Sequence, residues 1–139
     1  MSEQDEHGVW LPLRWRDLDY FGHVYHAEFL TLLDEARSRW FAGALALEQA
    51  DSYVLARLEI DYVSALVLAD EAVAVEFGVE RVGTTSLTLR ETMRARDGRV
   101  VAKSRSVTVR WDRDAGTSRT LSESERETAS RFLLPDAAV

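Results

Sequence analysis

Residues 15–41 read WRDLDYFGHVYHAEFLTLLDEARSRWF, and this stretch decides the fold. In its second half, apolar residues recur every three or four positions, a period that places them on one face of a helix. The predicted apolar face consists of Phe29, Leu30, Leu33, Ala36, Trp40, Phe41 and Ala44. We therefore predict a long helix that begins near His26, ends between Gly43 and Leu47, and buries this face in the core.

The first half of the stretch is a polar turn just upstream of the predicted helix. It carries two carboxylates, two histidines and one glycine, namely Asp17, Asp19, His23, His26 and Gly22. The unpaired N–H groups and the dipole of a helix N-terminus favour negative charge, so a carboxylate beside them suits a reaction that develops an oxyanion. Asp19 has a second interpretation as a turn-forming or helix-capping carboxylate. Gly22 is expected to adopt a positive φ or to let a ligand approach the backbone.

Outside this stretch, alternating apolar residues predict five strands, at residues 9–15, 54–62, 73–79, 87–96 and 100–111. Turn signals at Gly83-Thr84 and Asp97-Gly98 separate the later strands. Short connections of this kind make neighbouring strands antiparallel. Residues 45–52 are expected to form a loop or a short helical turn.

The C-terminal part of the chain predicts a second, shorter helix. Ser122 followed by Glu125 resembles a capping box, which places this helix at residues 123–134. The order is then strand, long helix, four antiparallel strands and short helix. A curved antiparallel sheet wrapped around the long helix is the simplest α+β arrangement that buries the apolar stripe. Cystatin-like and cone-shaped α+β folds fit the same pattern.

Composition limits the classes of function. The 139 residues suffice for one domain, and the proportions of hydrophobic (46%) and charged (29%) residues are typical of a globular protein. With 17 basic and 24 acidic residues, the net charge of −7 disfavours nucleic acid as a partner, because phosphate binding needs a basic surface. The chain has no cysteine, which excludes disulfides and thiolate metal sites.

The ends of the sequence give expectations about location. Residues 1–8, MSEQDEHG, are polar and acidic, unlike a secretory signal, and are expected to be a loose tail of a single domain spanning residues 1–139. No apolar run approaches the ~20 residues that cross a bilayer. We therefore expect a cytoplasmic protein without a membrane span.

The motif DLDYFGHVYH at residues 17–26, followed by Phe29 and LDEAR at 33–37, resembles the 4-hydroxybenzoyl-CoA thioesterase family of hot-dog proteins, including its short-chain acyl-CoA thioesterase branch. Asp61-Tyr62, VGTTS at 82–86 and Asp97-Gly98 agree with this resemblance. It implies a hot-dog fold, with dimers formed by pairing sheets edge to edge and often dimers of dimers. It also implies active sites at the dimer interface, with the acyl group near the helix and coenzyme A at the surface.

The resemblance also implies roles for individual residues. The family's acidic catalytic residue corresponds to Asp19, and its backbone N–H that polarises the thioester carbonyl corresponds to His26, whose ring also joins the site in the closest branch. That branch has a tyrosine at the position of Trp15. Many relatives have asparagines at the positions of Tyr25 and His26. These departures affect the predicted acyl-chain preference more than the predicted reaction.

Further residues are predicted to contact the substrate. They are Trp15, Tyr20, Phe21, Gly22 and Tyr25 around Asp19, together with Thr84 and Thr85 in a hairpin that lies near the site in this family. Arg81, Lys103 and Arg105 are candidates for the coenzyme A phosphates. No cofactor is expected, since coenzyme A is part of the substrate. The histidines and aspartates of the turn could bind zinc, but three-residue spacing in a turn disfavours a metal site.

The chemistry of a thioester suits these residues. Its leaving thiol has a pKa of about 8.5 by analogy with cysteine, so no separate general acid is required. A carboxylate that acts as nucleophile or general base, plus an oxyanion donor, is sufficient. We predict an acyl-CoA thioesterase that forms homodimers or homotetramers. Two alternatives stay open, a hot-dog enoyl-CoA hydratase that uses Asp19 and His26, and a non-catalytic acyl-CoA binding protein.

Overall fold

The computed structural model describes residues 6–47, 49–50 and 52–135. The elements in chain order are β1 (Gly8–Pro12), α1 (His26–Ala42), β2 (Tyr53–Tyr62), β3 (Ala72–Val82), β4 (Ser86–Ala95), β5 (Val100–Asp112), β6 (Thr117–Ser118) and α2 (Glu123–Ser130). Single 3-10 turns occur at Trp15–Asp17 and Leu68–Asp70. The predicted order of elements is confirmed, and the short strand β6 is an addition to it.

The strands form one antiparallel sheet in the order β1-β3-β4-β5-β2, and β6 pairs with the end of β5. The two strands nearest to α1 in sequence, β1 and β2, therefore lie at opposite edges of the sheet. The β4–β5 turn contains Gly98, whose φ of +90° explains the Asp97-Gly98 turn signal. The sheet curls around α1, as predicted.

Helix α1 buries its apolar face against the sheet. The buried residues are Phe29, Leu32, Leu33, Ala36, Arg37, Trp40 and Phe41. The assignment of Leu30 to this face was wrong, because Leu30 is exposed. Leu32 and Arg37 complete an i, i+3, i+4, i+7 pattern with the other buried residues, and Leu30 falls outside that pattern. Trp40 stacks on Phe77 of β3, with ring centroids 4.8 Å apart.

Arg37 is a buried charge, and its partner lies on β4. Its Nε and terminal nitrogen donate to the Glu91 carboxylate at 3.3 and 3.0 Å. The hydroxyls of Ser104 and Ser106 donate to the same carboxylate at 2.8 and 2.7 Å. A buried charge is costly unless it is paired and hydrogen-bonded. This network therefore ties α1 to the polar part of the sheet's inner surface.

Some predicted boundaries differ from the structure. Strand β1 begins at Gly8 and ends at Pro12, because the chain enters the 3-10 turn by Trp15. The predicted tail therefore ends earlier than residue 8, and residues 1–5 lie outside the described residues. Helix α2 ends at Ser130, because the Leu134 N–H donates to the Val79 carbonyl at 2.9 Å instead of continuing the helix. Within the described residues, neither helix is long and apolar enough to cross a bilayer.

Candidate active site

Asp19 lies in a tight loop that its own side chain holds together. Its N–H donates to the His23 carbonyl at 2.7 Å, and its Oδ1 accepts from the N–H groups of Phe21 (2.9 Å) and His23 (3.1 Å). Gly22 has a φ of +80°, which glycine adopts without strain. Oδ1 of Asp19 therefore has the turn-forming role that the second interpretation assigned to this residue. No group of the described residues donates to Oδ2, so that oxygen can serve a substrate or a water.

Asp17 anchors the start of the same loop. It is buried, and its Oδ2 accepts from the backbone N–H and the Nε of Arg14 at 2.8 and 3.3 Å. The hydrogen bond with Asp17 raises the pKa of Arg14. Asp17 therefore pairs with Arg14. The Tyr25 N–H donates to the Asp17 carbonyl at 2.9 Å, and this bond places the start of α1 next to the loop.

Helix α1 begins at His26, as the sequence predicted. Tyr25 occupies the N-cap position and supplies no side-chain cap, because its phenol cannot reach back to the first amides. Within the described part of the chain, the N–H groups of His26 and Ala27 have no acceptor. They are the orphan donors of the helix end and are available to a carbonyl oxygen that carries negative charge.

Tyr62, at the end of β2, fixes this helix end to the sheet. Its hydroxyl donates to the His26 carbonyl at 2.8 Å, and its ring packs edge-on against Phe29 with centroids 5.2 Å apart. Burial raises the pKa of the Tyr62 phenol, so the hydroxyl keeps the proton that it donates. Tyr62 therefore determines where the amides of the first helical turn point.

A cavity of about 280 Å³ brings Asp19 and His26 together. Its lining consists of Asp19, His23, Val24, His26, Phe29, Tyr62, Val63, Ser64, Ala65 and Leu66. Sequence reasoning missed the wall formed by residues 62–66 as a unit. The signals for it were the Asp61-Tyr62 pair and the hydroxyl of Ser64, which the sequence offers as a substrate contact and which donates to the Val100 carbonyl at 2.8 Å. Nothing in the local pattern indicates that this segment lies against the helix.

Three larger cavities, of about 530, 590 and 330 Å³, lie elsewhere. The first borders β1 and the β4–β5 turn, the second lies beside the start of α2, and the third lies on β3 and β4 beside Leu134. None of the three includes Asp19 or the N-terminus of α1. We assign the cavity of about 280 Å³ as the candidate site because a carboxylate oxygen and unpaired amides converge there.

The other predicted site residues lie outside this cavity in a single chain. Trp15, Tyr20 and Phe21 are 81%, 96% and 79% exposed. Tyr25 is also exposed, and its ring centroid lies 4.3 Å from that of His26. The roles of these four aromatics stay predictions.

Thr84 and Thr85 lie in the β3–β4 hairpin, where their carbonyls accept from the N–H groups of Leu121 and Arg110. Val63 and Ser64 of the cavity wall donate their N–H groups to the Val101 carbonyl, which lies near the other end of β5. At 3.3 Å per residue, the two ends are separated by about 30 Å along the strand. A contact between these threonines and the substrate would thus require a second chain.

Several charged groups elsewhere are paired. Among the phosphate candidates Arg81, Lys103 and Arg105, Arg105 is paired with Glu80. Glu35 and Arg39 form an i, i+4 pair on the solvated face of α1, at 2.9 Å. The described residues contain no cluster of three or more histidine, aspartate or glutamate side chains arranged to hold a metal ion.

Comparisons with known proteins bear on this geometry. A family model described as the thioesterase-like superfamily matches residues 13–132. A thioesterase from Thermus thermophilus, solved with coenzyme A and Zn, is 30% identical to this chain, with a TM-score of 0.79 over 91% of this chain and 93% of that protein. A thioesterase predicted in Bacillus stearothermophilus is 27% identical, with a TM-score of 0.80 over 92% and 96% of the two chains.

A candidate acyl-CoA thioesterase from Xanthomonas campestris is 30% identical, with a TM-score of 0.67 over 82% of this chain and 95% of that protein. No curated protein matches the sequence. The likeness to the solved thioesterases confirms the predicted hot-dog fold, a curled antiparallel half-barrel around a central helix.

Proposed function

Because the chain belongs to the thioesterase-like superfamily, we propose that it hydrolyses an acyl-coenzyme A thioester to a carboxylate and free coenzyme A. The observation that carries the proposal is the cavity in which Asp19 meets the N-terminus of α1. The Thermus relative was solved with bound coenzyme A, which supports coenzyme A as the carrier of the acyl group. The narrower placement in the 4-hydroxybenzoyl-CoA thioesterase family, which the 17–26 motif supports, and the cytoplasmic location are also proposals.

In the proposed mechanism, the thioester carbonyl enters the cavity with its oxygen at the His26 N–H. Asp19 Oδ2 either takes a proton from water as the water adds to the carbonyl carbon, or adds to that carbon itself. The oxyanion that forms is stabilised by the helix-end amide, and one such donor can be worth about 3 kcal/mol of barrier. The carbon–sulfur bond then breaks and coenzyme A leaves as a thiolate. In the water route the product is the carboxylic acid, which loses its proton, and Asp19 gives the proton that it took to the thiolate. In the direct route the product is an anhydride of the acyl group with Asp19, which a water then hydrolyses to the free carboxylate and the free Asp19 side chain. The His26 ring, at the same cavity, helps to orient the water.

The decisive test removes the charge of Asp19 and keeps its shape. Asp19→Asn retains an Oδ1 acceptor for the amides of Phe21 and His23, so the loop should fold normally. We expect thiol release from a panel of acyl-coenzyme A esters to fall by about 10²- to 10⁴-fold. The matched control is Asp112→Asn, because Asp112 Oδ1 also accepts two backbone amides, at 3.0 Å each, far from the cavity. Full activity in folded Asp19→Asn would refute the role of Asp19.

The same assay separates the alternative functions. Consumption of crotonyl-coenzyme A without thiol release would indicate hydration of the double bond. Tight binding of an acyl-coenzyme A with no turnover of any ester would indicate a binding protein. Mass spectrometry of enzyme quenched during turnover separates the two roles of Asp19, because only the nucleophilic route adds the mass of the acyl group to the protein.

We further propose that two copies pair through β2. This ten-residue strand lies at an edge of the sheet, and Val54, Leu55 and Tyr62 on it are exposed. A long edge strand with unpaired backbone groups is a template for pairing with another chain, and stable monomers usually protect such edges. An antiparallel β2–β2 contact would also bring the far end of a partner's sheet towards the cavity, where Thr84 and Thr85 could reach the substrate.

A further inference from the structure

The β4–β5 turn supports the wall of the candidate site through one arginine. The Arg99 guanidinium donates to the Ala65 carbonyl at 3.2 Å and to Asp70 Oδ2 at 3.1 Å. It also donates to Asp97 Oδ2 within its own turn at 2.7 Å. Ala65 lines the cavity, so Arg99 connects a rigid hairpin to the segment that faces the substrate.

Asp70 extends this connection to the loop that carries Asp19. Its Oδ2 accepts from the Val67 N–H at 3.0 Å, and its own N–H donates to the Val67 carbonyl at 3.0 Å. Val67 forms an antiparallel bridge with His23, and the adjacent Val24 N–H donates to the Leu66 carbonyl at 2.7 Å. His23 in turn donates its N–H to Asp19 Oδ1.

We propose that Asp70 and Arg99 are positioning residues for the Asp19 carboxylate. This inference rests on the proposed function, because it concerns the group assigned to the reaction. The hydrogen bonds of Asp19 to Phe21 and His23 fix the shape of its loop. The pairing of residues 23–24 with residues 66–67 fixes where that loop sits relative to α1. The Arg99–Asp70 pair holds residues 65–70 in the conformation that makes this pairing.

The Arg99–Asp70 pair should contribute more to catalysis than to the global stability of the fold. The Asp70 and Arg99 side chains are partly exposed, and partly exposed ion pairs usually contribute little to unfolding free energy. Catalysis is more sensitive, because a displacement of about 1 Å between reacting groups can reduce the rate by about 10²-fold. A large fall in kcat with a small change in Tm would therefore distinguish positioning from a purely structural role.

The neighbouring pair Arg96–Glu71 is a matched control. It also joins the end of β4 to the segment that precedes β3, and both of its side chains are exposed. Among the described residues, the Glu71 carboxylate bonds only to Arg96, so the side-chain bonds of this pair reach neither residues 65–70 nor the Asp19 loop. Arg96→Ala removes an equivalent surface ion pair without affecting the proposed support.

The experiment compares wild type, Asp70→Ala, Asp70→Asn, Arg99→Ala and Arg96→Ala on the best acyl-coenzyme A ester. We expect Asp70→Ala and Arg99→Ala to lower kcat at least about tenfold, with a Tm within about 5 °C of wild type. Asp70→Asn keeps an acceptor for Val67 and should recover much of the loss. The kcat of the double variant Asp70→Ala/Arg99→Ala should be no lower than that of the more affected single variant, because both changes remove the same support. Arg96→Ala should match wild type.

Hydrogen exchange provides a readout that does not depend on turnover. Loss of the Asp70 support should accelerate exchange at the amides of His23 and Val24 while leaving the central strands protected. If wild type hydrolyses no thioester, the proposed function fails, and exchange alone decides whether Asp70 and Arg99 support the loop. Unchanged exchange, or kcat values within twofold of Arg96→Ala, would overturn the positioning role. If Asp70→Ala does not fold, Arg99→Ala decides, since its side chain is the more exposed of the two.

Discussion

Single residues at the candidate site combine a structural and a proposed chemical role. Asp19 uses Oδ1 to accept two amides of its own loop, and Oδ2 is the oxygen available for the reaction. The two interpretations that the sequence left open are therefore compatible, because a carboxylate has two oxygens. This also explains why Asn and Ala replacements should differ. Asp19→Asn removes the charge, whereas Asp19→Ala also removes the loop's internal acceptor.

Tyr62 offers a second test at this scale. Tyr62→Phe removes the hydroxyl that donates to the His26 carbonyl and keeps the ring that packs on Phe29. We expect kcat for thioester hydrolysis to fall about three- to tenfold, the size expected for one lost hydrogen bond. Tyr53→Phe is the control, since Tyr53 also links β2 to α1 through its hydroxyl, but by way of Ser38 and Asp34. Equal effects of the two replacements would contradict a specific role for Tyr62.

At the scale of elements, α2 depends on Glu125 at its first turn. The predicted capping box is present, with Ser122 Oγ accepting from the Glu125 N–H at 3.1 Å and Glu125 Oε1 accepting from the Ser122 N–H at 2.8 Å. Arg119 donates to both carboxylate oxygens, and Arg110 of β5 lies 3.0 Å away. Burial opposes ionisation of Glu125, but these hydrogen bonds and charges outweigh it and lower its pKa to about 2.

This cluster predicts a pH dependence of stability. The pKa of Glu125 is about 2 in the folded chain and about 4.5 when unfolded, so its contribution is present above pH 4.5 and is lost as the pH falls towards 2. The difference corresponds to about 3 kcal/mol of unfolding free energy. Urea unfolding of wild type at pH 6 and pH 3 should show a loss of about 2 kcal/mol, because pH 3 still lies above the folded-state pKa of Glu125. Glu125→Gln should show a smaller loss. Glu127→Gln, an exposed change on the same helix, should behave like wild type. Equal pH dependence in all three proteins would contradict the role of Glu125.

At the scale of the whole molecule, the exposed edge of β2 predicts self-association. Leu55→Asp replaces an exposed apolar side chain on this edge by a charge, which the β2–β2 contact would have to remove from water. Sedimentation equilibrium should show wild type as a dimer or larger oligomer and Leu55→Asp shifted towards monomer. Leu133→Asp is the control, because Leu133 is equally exposed (44%) and pairs with β3 rather than lying on β2. A monomeric wild type would exclude the β2 interface.

The sequence alone determined the elements other than β6, and the position of Asp19 relative to the helix start. Periodicity gave α1, alternation gave the strands, and the Asp97-Gly98 and Ser122–Glu125 signals gave a turn and a helix cap, because each depends on residues a few positions apart. Only the tertiary structure decided that β2 lies beside β5, that Arg37 meets Glu91, and that Tyr62 reaches His26 across 36 residues. It also decided the support of the Asp19 loop by Asp70 and Arg99. Contacts between distant segments leave no periodic pattern in the sequence, and they form only when the sheet closes around the helix.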